Sequence, residues 1–274
     1  MDMCRQVIFN LRSAEAFIDV IDKLVKSAKH DPRATWDDKM HNDGWGIVLV
    51  SRGSGSLAKL FYKSIKPIFD EDISWIRSII GSGPISGMIH ARKASDGEPK
   101  NVDSSHPHEV FVGDGFLYLV HNGSVDKLLI ARYMADEFGY KLSTGEISDT
   151  KALLILLSAI YEKTQNLEAA LMELAQLSRN LGIIRTSLNI GVMHVSEKGE
   201  ELFAASMYSR NTWSDERKRN YLDMYLLKGE DNIIVASPTL VDDYGLETGN
   251  KELLQPEFDK MIIVDLRNGR KITA

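Results

Sequence analysis

Apolar positions recur along the chain with two periods. Val7-Ile8-Phe9 is a short unbroken apolar run, the pattern of a strand covered on both faces, and it begins almost at the first residue. A strand so placed holds a chain end that would otherwise fray. From Ser13 the period becomes helical: Phe17, Val20, Ile21, Leu24 and Val25 share one face of a segment reaching Lys29, with Ser13 as its cap. A polar loop over 30–40 follows, broken by Asp31-Pro32. The segment 41–50 opens as a polar, glycine-containing turn and continues as a strand. A hairpin turn over 51–56 then returns it as a second strand over 57–62.

The same alternation predicts helices over 69–80, 126–139, 151–162 and 166–181, and strands over 87–92 and 116–120. After Thr186 strands dominate, over 188–195, 202–207, 221–227, 233–237 and 261–266. The charged stretch 209–220 reads as an exposed loop or short helix. Strict in–out alternation is weak in these strands, so both faces of each sheet are expected to be covered. The expected architecture is α+β: two stacked, mainly antiparallel sheets with helices outside. No glycine- or proline-rich linker divides the 274 residues, so a single domain over 1–274 is expected.

Composition narrows the function. The net charge of −6 is made of scattered charges with no basic run, which argues against nucleic acid as a partner. No apolar run approaches the roughly 18 residues of a membrane span, and no signal-peptide layout opens the chain. One cysteine in the whole chain excludes an internal disulfide and suits a reducing cytoplasm, the expected location. His41, His90, His106, His108 and His121 make a histidine-rich middle, but without the tight ligand pairs of a metal site, so neither metal nor cofactor is expected.

Each candidate for chemistry has a structural alternative. Cys4 is either a small buried hydrophobe or a nucleophile at a chain terminus. Arg92, at the end of a strand, is either a surface cation or a two-pronged grip for a carboxylate. Asn122-Gly123 is either a plain turn or a pair of donors for an oxyanion. Ser148-Asp149 either caps the next helix or turns a carboxylate toward an ammonium group.

Taken in order, Met3-Cys4-Arg5, His41-Asn42-Asp43-Gly44-Trp45-Gly46, His90-Ala91-Arg92-Lys93-Ala94-Ser95, Ser105-His106-Pro107, His121-Asn122-Gly123 and Ser148-Asp149-Thr150 resemble the successive motifs of the class II glutamine amidotransferases, which are N-terminal-nucleophile (Ntn) hydrolases. The resemblance is strong over 3–160 and looser to 233–238. It implies the four-layer αββα sandwich of that fold. It also implies Cys4 as nucleophile with its own α-amine as base, and Asn122 and Gly123 as oxyanion donors. Arg92, Asp149, His90 and Ser95 are the substrate-binding residues it implies, with glutamine or another γ-glutamyl compound as substrate.

Two features depart from the family pattern. Cys4 is preceded by Met1-Asp2-Met3, so the expected mature terminus follows a start at Met3 with removal of that methionine, or a cleaved leader. Lys93 and Lys151 stand where relatives carry other residue types, at the mouth of the expected pocket. Three functions fit: a glutaminase feeding ammonia to a separate ammonia-accepting synthase subunit, a freestanding γ-glutamyl hydrolase, and a catalytically inactive γ-glutamyl-binding module.

Overall fold

A computed structural model describes residues 4–52, 57–80, 83–95 and 97–274. Residues 1–3, most of the expected hairpin turn over 51–56, and residues 81–82 and 96 lie outside the described residues. In chain order the strands and helices are β1 (Arg5–Leu11), α1 (Ala14–Lys29), β2 (Trp45–Arg52), β3 (Leu57–Ser64), α2 (Ser74–Ile79), β4 (Ile85–Ala91), β5 (His108–Val112) and β6 (Gly115–Val125). There follow α3 (Lys127–Phe138), α4 (Asp149–Thr164), α5 (Leu167–Leu181), β7 (Ile184–Ser196), β8 (Gly199–Ser206), and the short α6 (Arg210–Trp213) and α7 (Glu216–Leu222). The chain closes with β9 (Met224–Lys228), β10 (Ile233–Ala236), β11 (Asn250–Leu254), β12 (Ile262–Asp265) and β13 (Arg270–Thr273).

One sheet has the order β11-β9-β10-β1-β4-β2-β3 and the other β13-β12-β8-β7-β6-β5. The pairings within both are antiparallel. The period-two rule sorts their side chains into layers. Val7, Phe9 and Leu11 join Trp45, Ile47 and Leu49 against α1, while Ile8, Val48 and Met88 face the other sheet. On β6, Leu117 and Leu119 pack under α4 and α5, while Tyr118 and Val120 face inward. Helix, sheet, sheet and helix therefore stack as the αββα sandwich, and the continuous apolar runs arise because each central strand is buried twice.

Local signals set most helix ends. Ser13, Asp126, Ser148 and Asn166 cap α1, α3, α4 and α5 by accepting from main-chain N–H groups of the first turn. The expected helix over 69–80 is broken, with only a 3-10 turn at Ile68–Asp70 before α2. Glu71 is the cause: its backbone is extended, and its carboxylate accepts from Trp45 Nε1 (3.0 Å), Tyr62 Oη (3.2 Å) and Ser64 Oγ. Tyr221, expected to start a strand, lies in α7 with its hydroxyl donating to Asp31. The His121-Asn122-Gly123 motif does not end its strand; β6 carries it on to Val125 with a shift in register after Gly123.

β1 is anchored from its helix-facing side. Arg5 and Asp31 form an ion pair of 2.7 Å with both side chains fully buried. Asp31 also accepts from Tyr221 Oη (3.1 Å), Thr239 Oγ1 (2.9 Å) and the Arg33 N–H (3.0 Å), and pairs with His41 Nε2 at 2.9 Å. Burial alone would raise its pKa, but Arg5 and His41 hold the carboxyl well below the usual range. The Arg5 guanidinium stacks over Tyr221 at 3.9 Å and donates to the Cys4 carbonyl at 3.3 Å. The loop that reads as polar thus carries a fully buried carboxylate with five partners.

At one end the layer between the sheets turns polar. His90 on β4 reaches the His121 carbonyl on β6 at 3.1 Å and His106 Nδ1 at 3.0 Å. His108 follows, in ring contact with His106 and bonded to Ser148 Oγ at 3.0 Å. Burial pushes His90, His106 and His108 well below the ordinary histidine value, so they are neutral at pH 7.

Two predictions follow from these buried groups. Asp31→Asn, which leaves the Arg5 charge buried without its partner, is expected to cost about 3–5 kcal/mol in urea unfolding. The histidines set a pH window: unfolded, each takes up a proton below about pH 6.5, while folded they stay neutral. Stability is therefore full above that value and falls as pH drops through it, by about 1.4 kcal/mol per pH unit for each such histidine. Thermal melts between pH 7.5 and 5 are expected to show the fall, and a flat profile would refute it.

Candidate active site

The site forms where β1, β4, β6 and α4 meet. Cys4, Gln6 and Ile8 share one parity on the first strand, and Asn122, Val120 and Tyr118 share the facing parity on β6. Cys4 and Asn122 accordingly meet between the sheets, the Cys4 N–H donating to Asn122 Oδ1 at 3.0 Å. That bond fixes the amide of Asn122: Oδ1 is the accepting end toward Cys4, and Nδ2 remains the donor end. Cys4 is buried, with its thiol directed at the Lys93 carbonyl at 3.6 Å.

Cys4 lines a small cavity together with Arg92, Lys93, Ser95, Glu98, His106, His121, Gly123 and Asp149. Its free space of about 20 Å³ is on the scale of a single water molecule, so an amino-acid ligand requires lining side chains to move. Gly123 sits at φ +146°, where a Cβ would lie 2.1 Å from the Ser187 carbonyl oxygen, so only glycine fits this wall.

Arg92 follows directly on β4 and is 5% exposed. Its guanidinium donates to the Pro99 carbonyl at 2.9 Å, and among the described residues no carboxylate lies within ion-pairing distance of it. Asp149 opens α4; its Oδ2 accepts from the Val125 N–H (3.0 Å) and its Oδ1 from the Thr150 N–H (2.6 Å). A cation and an anion thus flank the thiol in one cavity, with the anion held rigidly by main-chain donors.

The turn before β2 explains its polar residues. Asp43 and Gly44 exchange main-chain bonds with Arg92, Asp43 Oδ2 accepts from the Ala94 N–H, and His41 pairs with Asp31. This turn clamps the segment that carries Arg92. Lys93 sends its ammonium back to Asp38 (3.1 Å) and Asn42 Oδ1 (3.1 Å) in the same region, so at the mouth it acts as a strap between two loops. Lys151 is elsewhere: its ammonium donates to the Glu109 carbonyl, facing a neighbouring cleft that it shares with Lys63. Burial lowers the Lys63 pKa to about 8.

Of the residues singled out in the sequence, Cys4, Arg92, Ser95, Gly123 and Asp149 come together at the cavity, and Asn122 bonds Cys4 at its edge. His90 does not line it; the ring lies one layer behind, and His106 and His121 form the wall in front. Sequence reasoning missed Asp31, masked by its Asp-Pro context, and Glu98, which lines the cavity from a loop without periodic signal. Among the described residues no group of three or more histidine, cysteine, aspartate or glutamate side chains is arranged to hold a metal ion. No helix among them is long and apolar enough to cross a membrane.

No protein-family profile matches the chain. A glutamine–fructose-6-phosphate aminotransferase (isomerizing) from Methanosarcina acetivorans is 26% identical over 163 residues, 59% of this chain. The match spans 25% of that protein's length. A glutamine aminotransferase class-II domain protein from Silicibacter pomeroyi superimposes with a TM-score of 0.48 at 16% identity, over 98% of both chains. A predicted glutamine amidotransferase from Pseudomonas aeruginosa gives a TM-score of 0.43 at 13% identity, over 99% of this chain and 96% of that one. With six motifs in order and the two-sheet sandwich that brings their residues to one cavity, this chain resembles the class II glutamine amidotransferases.

Proposed function

We infer that the chain is a glutamine amidotransferase-type hydrolase, acting as one unit, in which Cys4 attacks the γ-carboxamide of glutamine or of a related γ-glutamyl amide. The observation that carries this reading is the buried Arg92, without a carboxylate partner among the described residues, facing the same cavity as the thiol and Asp149. A buried cation is costly unless paired, and the α-carboxylate of an amino acid is a natural partner for a guanidinium fork. Asp149 then takes the α-ammonium, and Ser95 adds a hydroxyl to the same wall.

The chemistry needs a base beside the thiol. An α-amine with a pKa near 7.7–8 accepts a thiol proton around neutrality, which a lysine near 10.4 does not. The mechanism therefore requires a mature chain beginning at Cys4, whose amine occupies the position where the Cys4 nitrogen now meets Asn122 Oδ1. The thiolate adds to the amide carbon, and the Asn122 amide and Gly123 N–H hold the negative oxygen. Collapse, with the Cys4 α-ammonium returning the thiol's proton to the leaving nitrogen, expels ammonia or an amine and leaves a γ-glutamyl thioester, which water hydrolyses to glutamate. His90 acts behind the wall, orienting His106 and the His121 carbonyl.

Two measurements test this. Treatment of the native protein with 6-diazo-5-oxo-norleucine is expected to add one inhibitor mass to a chain that begins at Cys4; a chain retaining Met1 and gaining no adduct would refute the reading. Arg92→Lys keeps the charge and loses the fork, so kcat/KM for glutamine is expected to fall about 10- to 100-fold, mainly through KM. An unchanged KM would remove Arg92 from the substrate site.

A further inference from the structure

The geometry points to Glu98 as a second carboxylate for the substrate's α-ammonium, making the cavity specific for γ-glutamyl compounds whose α-amine is free and charged. This inference rests on the amidotransferase reading and narrows its substrate class. Glu98 lines the Cys4 cavity, and its Oε2 is buried without a hydrogen-bond partner among the described residues. Its other oxygen faces Lys127 Nζ at 3.6 Å. The same ammonium donates to the Ile147 carbonyl at 3.0 Å, two residues before Asp149. Lys127 therefore ties the Glu98 loop to the segment that presents Asp149, and both carboxylates line the same cavity.

The two carboxylates are not equivalent. Both Asp149 oxygens already accept main-chain N–H groups, so each has part of its capacity used. Glu98 Oε2 has all of its capacity left, and a buried acceptor left unmade is costly. An ammonium brings three donors and a positive charge; an N-acylated amine brings one donor and none. Ser95 Oγ, also buried and without a partner among the described residues, supplies a third acceptor in this wall. Arg92 is placed by the residue after Glu98, through its bond to the Pro99 carbonyl, so the carboxylate grip and the ammonium cage are built from one loop.

Calorimetry on the full chain carrying Cys4→Ala, titrated with L-glutamine and with N-acetyl-L-glutamine, tests the proposal without requiring turnover. Glutamine is expected to bind, and Glu98→Gln in that background to weaken it about tenfold or more, the effect of losing a charged hydrogen bond. Glu98→Asp, which keeps the charge, is expected to recover part of the loss, and thermal melts confirm that each variant is folded. N-acetyl-L-glutamine is expected to bind poorly to both. Equal glutamine affinity in Glu98→Gln, N-acetyl-L-glutamine binding as tightly as glutamine, or no glutamine binding at all would each overturn the assignment. Turnover by the unaltered chain is scored separately: Glu98-dependent binding without turnover would overturn only the hydrolase reading.

Discussion

The first residues of β1 carry opposite demands on their two faces, and the pleat of the strand reconciles them. Arg5 turns toward the helix layer, where its charge is buried and paired with Asp31. Cys4, one residue earlier, turns the other way, into the layer between the sheets, and meets Asn122. A slip of one residue would bury the thiol under α1 and send the guanidinium into the cavity. The ion pair therefore fixes the register of the strand that delivers the thiol. It does so through a carboxylate that four other groups also hold: His41, Tyr221, Thr239 and the Arg33 N–H.

The polar end of the inter-sheet layer is charged sparingly. The histidines between β4, β5 and β6 are neutral and bond to one another, to main-chain carbonyls and to hydroxyls. Beside this uncharged wall, the cavity is lined by Arg92, Asp149 and Glu98. Charges of both signs gathered in surroundings of low dielectric act more strongly on one another than they would in water. The wall also buries its histidines where protonation would cost most, which ties the acid stability of the fold to the integrity of the site.

Much of this was legible in the sequence where local and tertiary demands agree. The caps Ser13, Asp126, Ser148 and Asn166 announce their helices, and the unbroken apolar runs announce strands buried on both faces. Edge strands were the losses: β5, β11 and β13 are short and half exposed, with too few apolar positions to show a period. The segment 69–80 failed for another reason. Its pattern is helical, but Glu71 is worth more bonded to Trp45, Tyr62 and Ser64 than continued in a helix.

At the cavity, the sequence singled out lining residues that stand within motifs and passed over Glu98, which stands outside them. Cys4, Arg92, Asn122, Gly123 and Asp149 stand in short segments whose chemistry needs neighbours in sequence. Asp31 and Glu98 act through partners far along the chain: Arg5 and Thr239 for the first, Lys127 for the second. Their value lies in burial and in lone pairs left open or filled, which no local pattern encodes. A polar residue in a loop gains meaning only when the fold shows what faces it. For Glu98 that is a cavity holding a cysteine, a guanidinium without a carboxylate partner among the described residues, and a second carboxylate whose oxygens are already engaged.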